Sequence, residues 1–226
     1  MKFVKKLVIA IDGPSGAGKG TVARTLSEHL GYRHIDTGAM YRAVAWKAHH
    51  DGLSLDDELA IAALATRARL NVEGGVIAID GHDVTREIRT PEVDRAAASV
   101  ARLPEVREVL VRRQRDEGKD GGVVMEGRDI GTVVFPDADV KVYLDASPEE
   151  RARRRANDPA HTGSRTGQAA VAEAIQARDK SDTTRAVSPL SLAPDAVRID
   201  TTNLPIPAVV ERVLALVQQK LTQRSL

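Results

Sequence analysis

An alternating α/β fold built on a five-stranded parallel sheet is what this 226-residue chain predicts, and three observations carry that prediction. Short apolar runs recur at Leu7 to Ile11, Tyr32 to Ile35, Val123 to Met125, Val140 to Leu144 and Ala196 to Ile199, with helical patterns between them. Alternation of that kind buries both faces of a parallel sheet and leaves the ligand site at the carboxyl ends of its strands. The first run feeds a glycine-rich turn that contains Lys19 and opens directly onto an amphipathic helix from about Thr21 to Leu30. About eighty residues separate the second and third strands, too many for one crossover helix, so an insert is expected there.

Each element has its own local signal. Between the second and third strands, Leu70 to Val72, Val76 to Asp80 and His82 to Val84 read as short β pieces joined by Glu73-Gly74-Gly75 and Gly81, which predicts a small antiparallel sheet. Thr90-Pro91-Glu92 supplies a cap with proline at the first helical position, and Leu103-Pro104-Glu105 starts a helix that runs to Gly118. Ser147-Pro148-Glu149-Glu150 is a capping box that starts the basic helix with Arg151, Arg153, Arg154 and Arg155. The polar stretch from Asn157 to Gly167, before a helix around Val171 to Arg178, reads as a mobile lid. Near the end, Val209, Val210, Val213, Leu214, Val217 and Leu221 recur at helical spacing and are expected to pack on the sheet. The resulting division is a core over residues 1–36, an insert with flanking helices over 37–118, core again over 119–150, a lid region over 151–178 and core over 179–226.

Composition narrows the function classes. With 42% hydrophobic residues the chain can bury a real core. A formal charge of +1 argues against general affinity for nucleic acid or an anionic membrane. Cysteine is absent, which excludes disulfides and thiolate metal sites and is compatible with a reducing cytoplasm. Asp12 interrupts the first apolar run too early for a signal-peptide core or a membrane span, so a soluble, untargeted, cytoplasmic protein is expected. The six histidines, His49-His50 among them, show no metal-ligand spacing.

The turn after the first strand is a phosphate cradle. Gly13, Gly16 and Gly18 allow positive φ and a close backbone approach, so successive amides can point at phosphate oxygens while Lys19 adds a mobile charge. The helix that follows aims its N-terminal dipole at the same spot. Gly20 stands where the usual GxxxxGK[ST] pattern has a hydroxyl residue, and Thr21 comes one place late. A purely structural turn would leave Lys19 unexplained. At the end of the second strand, His34-Ile35-Asp36-Thr37-Gly38-Ala39-Met40-Tyr41-Arg42 sets Thr37, Tyr41 and Arg42 near this loop, where a guanidinium can fork onto a second phosphate. The third strand ends in Glu126-Gly127-Arg128-Asp129-Ile130-Gly131-Thr132, with charged side chains on a glycine-flanked turn beside the same cleft, and a buried structural ion pair is the plainer alternative.

Taken together, GPSGAGKGT, DTGAMYR, EIRTPEV, VREVLVRRQR, EGRDIGTVVFPDADVKVYLDAS, RDKSDTTRAVSPL and IDTT resemble, in order and nearly end to end, the bacterial cytidylate kinases, a family of nucleoside monophosphate kinases. The long segment from Glu126 separates the chain from adenylate kinases, which share a GAGKGT loop without this arginine pattern or the β-containing insert. The resemblance implies a three-layer, P-loop NTPase-like fold with a nucleoside-monophosphate-binding insert and a short lid. It also implies a monomer whose partners are ATP and CMP or dCMP, with Mg²⁺ accompanying ATP.

Site roles follow from the same resemblance. Gly13, Pro14, Ser15, Gly16, Ala17, Gly18, Lys19, Gly20 and Thr21 would hold the ATP phosphates, with Thr21 a candidate Mg²⁺ ligand. Thr37, Arg42, Arg128 and Arg185 would bind the acceptor phosphate with Tyr41 nearby, and Arg178 and Asp182 the sugar side. Ser99, Arg107 and Asp129 would read the base, although a small residue within AAASVA is also what close helix packing needs. Cytosine presents an amine donor beside a ring nitrogen and a carbonyl, so a carboxylate and an arginine form a matched set that uracil would mismatch. The acceptor's second phosphate pKa is about 6, so its attacking oxygen is largely ionised at neutral pH and no general base is required. Catalysis would then be alignment plus charge neutralisation by Lys19, Arg128, Arg154, Arg155 and Arg185. Arg151, Arg154 and Arg155 are spaced to share one helix face over the transferring group, and a solvated helix with Glu150 paired to Arg154 is the competing reading. Glu126 stands where the family often has aspartate. The alternatives are another small-molecule P-loop kinase, with UMP or a non-nucleotide acceptor, and a nucleotide-dependent switch or nucleic-acid-binding protein. Near-zero charge and few aromatic residues disfavour the last.

Overall fold

A computed structural model describes residues 6–72, 75–158 and 167–225. Its main sheet comprises β1 (Val8–Asp12), β2 (Arg33–Asp36), β6 (Val123–Gly127), β7 (Val140–Asp145) and β8 (Val197–Asp200). Their order is β2-β6-β1-β7-β8, and every pairing is parallel. The five strands fall where the apolar runs predict them, each within a residue or two at the ends. β1 is central because it is apolar on both faces. Leu7, Ile9 and Ile11 enter a core with α1 (Lys19–Leu30) and α8 (Ile206–Ser225), whereas Val8 and Ala10 enter the core on the other face. Val209, Val210, Val213 and Val217 of α8 are buried on the sheet, as their spacing predicts.

The opposite layer holds α2 (Thr37–His50), α3 (Glu58–Arg67), α4 (Pro91–Val100) and α5 (Pro104–Gly118). Thr90 caps α4 by accepting the Val93 amide, with Pro91 at the first position, and α5 opens with Pro104. Within this insert β3 (Leu70–Asn71), β4 (Ala78–Ile79) and β5 (His82–Asp83) form the small antiparallel sheet. Its strands are shorter than the apolar runs, because only two pairs of residues match in each ladder. Glu73 and Gly74 of the first connecting turn lie outside the described residues. After β6 the chain makes a π-helical turn over Ile130–Val134.

Ser147 caps α6 (Pro148–Ala156) by accepting the Glu150 amide, and α7 (Gln168–Thr184) packs beside it. Most of the expected lid, residues 159–166, lies outside the described residues. No helix among the described residues is long and apolar enough to cross a membrane.

Candidate active site

The loop between β1 and α1 is shaped by backbone that only glycine tolerates. Gly13 has φ 145, and a Cβ on it would fall 1.9 Å from the Leu144 carbonyl oxygen, so the loop passes directly over β7. Gly18 is left-handed at φ 89 and starts α1 without a side-chain cap, which leaves the first amides of the helix facing the loop. The helix therefore begins at Lys19, two residues before the predicted start. Lys19 is 6% exposed, and its ammonium donates to the Pro14 carbonyl at 2.7 Å. Burial pushes its pKa down to about 7, and the neighbouring Arg128 charge pushes the same way.

A cavity of about 1150 Å³ opens at the carboxyl ends of β1, β2 and β6. Ser15, Gly16, Gly18, Lys19, Gly20 and Thr21 line it together with Arg42, Arg128 and Arg178. Nine lysines and arginines line it against four carboxylates, so positive charge gathers here although the whole chain is nearly neutral. Arg154 and Arg155 of α6 also reach it. Arg151 does not follow them: its guanidinium turns inward onto the Ser15 carbonyl and Asp179. Arg154 bonds both Glu150, at 2.8 Å, and the Thr201 hydroxyl, at 2.9 Å, while Arg155 pairs with Asp94. The helix face thus holds two cavity arginines rather than three.

Behind the cavity lies a buried charge network. Arg107 and Asp129 are 2% and 5% exposed and form an ion pair at 2.5 Å. Arg185 approaches the other Asp129 oxygen at 3.5 Å and Asp182 at 3.6 Å. Arg128 donates to Asp182 at 2.8 Å. Burial alone would raise the Asp182 carboxyl, but Arg128, Arg178 and Arg185 together bring it below its ordinary value. Arg107 lies 5.5 Å over the ring of Tyr41, whose hydroxyl burial pushes up to about 12. Asp36 accepts from the Arg42 guanidinium and the Ala39 amide, and these overcome burial to bring its pKa to about 2.

The predicted site residues therefore fall into two shells. Much of the phosphate loop, with Arg42, Arg128, Arg154, Arg155 and Arg178, faces the cavity. Tyr41, Arg107, Asp129, Asp182 and Arg185 lie in the buried network beside it, and Thr37 donates to the Glu126 carbonyl at 2.7 Å. Ser99 stands apart on the exposed face of α4, its hydroxyl directed at the Arg95 carbonyl. The buried Nε atoms of Arg42, Arg107 and Arg178 have no hydrogen-bond partner among the described residues.

Sequence reasoning missed Asp12, Asp94, Asp179 and Thr201, which orient the loop and its arginines. Each acts across a long sequence separation and has no local pattern to reveal it. No group of three or more His, Asp or Glu that could hold a metal occurs among the described residues. Glu126 nevertheless reaches to 3.1 Å of where a Cβ on Gly20 would lie, and its Oε1 accepts from His34 Nε2 at 3.0 Å. Glu126 and Thr21 both line the cavity, an oxygen donor set of the kind a magnesium ion arriving on nucleotide phosphates would use while keeping several waters.

The architecture is shared with a gluconokinase from Sinorhizobium meliloti 1021, at a TM-score of 0.52 and 15% identity over 97% of each chain. In sequence, the chain is 53% identical to a cytidylate kinase of Pelotomaculum thermopropionicum, covering 92% of this chain and 94% of that protein. It is 47% identical to a cytidylate kinase of Bacillus velezensis over 96% of this chain and 98% of that one. The family profile described as cytidylate kinase matches residues 9–219. A phosphate loop facing an arginine-rich cavity, and similarity over nearly the whole length, lead to one conclusion: this chain is a kinase and belongs to the cytidylate kinase family.

Proposed function

We propose that the protein transfers the γ-phosphoryl group of ATP to CMP or dCMP, giving the nucleoside diphosphate and ADP. The observation that carries this reading is one cavity lined by Lys19, Arg42, Arg128 and Arg178, backed by the buried Arg107–Asp129 pair. Two polyanions must be brought in line at close range, and the free energy of their repulsion is the main obstacle to reaction. The backbone amides from Gly13 to Thr21 take the donor phosphates, with Lys19 supplying charge. Arg42 and Arg128 orient the acceptor phosphate, whose ionised oxygen attacks without a base. Arg154 and Arg155 offset charge on the transferring group, and Arg185 steadies Asp129 from behind. Thr21 and Glu126 are suited to hold Mg²⁺, which supplies charge neutralisation when it arrives with ATP.

Base selection belongs to Arg107 and Asp129. As they stand, Arg107 donates to Asp129 at 2.5 Å; cytosine would insert its amine toward the carboxylate and its acceptors toward the guanidinium. Uracil would set a carbonyl against the carboxylate and leave both buried groups unpaired, a mismatch worth orders of magnitude in selectivity. The test is ADP release from ATP and Mg²⁺ with CMP, dCMP, UMP, AMP or no acceptor. Turnover dependent on cytidine nucleotides supports the proposal. Equal turnover with UMP, or hydrolysis without acceptor, contradicts it.

A further inference from the structure

Asp12 closes β1 and is absent from the cavity wall, yet it is a carboxylate only 5% exposed. Each of its oxygens has one partner. Oδ1 accepts the Ile130 amide at 2.8 Å and Oδ2 the Gly131 amide at 2.7 Å, across 118 and 119 residues of sequence. These are the first amides of the π-helical turn, and Asp129, the residue that starts the turn, gives it no side-chain cap. Asp12 therefore caps the turn from a different strand. Gly131 packs close enough for this that a Cβ on it would come within 3.4 Å of Oδ2. The next residue along the chain from Asp12 is Gly13, where the phosphate loop starts.

We propose that Asp12 is a positioning residue that fixes the Arg128-Asp129 turn in register with the phosphate loop, so that acceptor base and donor phosphates are held at one set distance. A single residue is bonded covalently to the donor loop and, through its short carboxylate side chain, by two charge-assisted hydrogen bonds to the acceptor-reading turn. Keeping a carboxylate in this place is costly. Burial, helped by the Asp129 charge, raises it to about 6 even though the Gly131 and Ile130 amides and Lys19 oppose that rise. Lys141, whose side chain packs against Gly131, is the other cation on this side and is itself bonded to Asp195. A neutral cap would satisfy one amide; only the carboxylate accepts both without presenting a donor.

The inference rests on the assignment of Asp129 to base reading, and its test separates the two. In Asp12→Asn, one amide faces the new NH₂ group, the turn loosens, and the CMP-to-UMP ratio of kcat/KM is expected to fall about tenfold while KM for ATP stays within about twofold. In an Asp129→Ala background the same change is expected to leave the ratio unaltered, since the group being positioned is gone. Where Asp12→Asn does not fold, the unaltered protein gives the reading: protonation of Asp12 should lower the CMP-to-UMP ratio as pH drops through about 6. Ionisation of the acceptor phosphate cancels in that ratio. A protein without preference for CMP over UMP overturns the base-reading assignment and the inference with it. A protein with that preference, kept intact in Asp12→Asn or flat across pH 5 to 8, overturns the role of Asp12 alone.

Discussion

Replacing Lys19 with methionine should abolish donor binding and at the same time stabilise the nucleotide-free protein. The ammonium is buried, its partner is the neutral Pro14 carbonyl, and burial lowers its pKa from 10.5 to about 7. Because the folded value lies below the unfolded one, the folded chain holds this proton less tightly. The cost of burying the charge is therefore complete below about pH 7 and is relieved as pH rises from about 7 to about 10.5. The depression corresponds to about 5 kcal/mol at most. Against it stands the Pro14 carbonyl, which loses its donor in the variant at a cost of about 1–3 kcal/mol. Lys19→Met should thus gain about 2–4 kcal/mol at about pH 6, several degrees in Tm for a chain of this size. At about pH 9.5 the residual charge penalty is only about 1.4 kcal/mol, the lost hydrogen bond offsets it, and the two proteins should melt nearly together. Scanning calorimetry of both proteins without nucleotide, at each pH, reads the difference directly. A variant less stable at low pH, or an advantage that does not shrink at high pH, would refute the argument that a buried cation is stored here for phosphate.

Arg107→Met leaves Asp129 with only the more distant Arg185, so urea unfolding should show a loss of about 3 kcal/mol, and selection of CMP over UMP should weaken with it. Gly118→Ala places a Cβ 2.4 Å from the Phe135 ring at the end of α5, and the displaced ring should cost about 1–3 kcal/mol in stability by the same measurement with KM values unchanged.

Much of the fold was legible because its signals are local. Pro91, Pro104 and Pro148 each sit at the first helical position, so α4, α5 and α6 start where proline and the preceding residue place them. Gly118 ends α5 as read. α3 was not anticipated, since its LAIAALA run has no polar face to give it a helical period, although Asp57 caps it through the Ala60 amide. In the candidate site, the phosphate loop is a contiguous pattern and could be read directly. The partners that orient it could not. Asp94 joins Arg155 of α6 to Arg178 of α7 from the insert, and His34 meets Glu126 only because β2 and β6 are neighbours in the sheet. A lone aspartate in sequence carries no mark of the arginine it will face. Family resemblance supplied the proposed roles of Arg107 and Asp129, and the fold explains why they form a pair: both side chains converge on one buried point from α5 and the turn after β6.

The central claim is that phosphoryl transfer goes to a cytidine nucleotide chosen by Asp129. Its most direct test is formation of CDP, separated by anion exchange, from ATP and Mg²⁺ with CMP or UMP as acceptor, for the intact protein and for Asp129→Ala. The account predicts rapid CDP formation with little UDP from the intact protein, and loss of that preference in the variant. No CMP-dependent product from the intact protein, or an unchanged preference in Asp129→Ala, would contradict it.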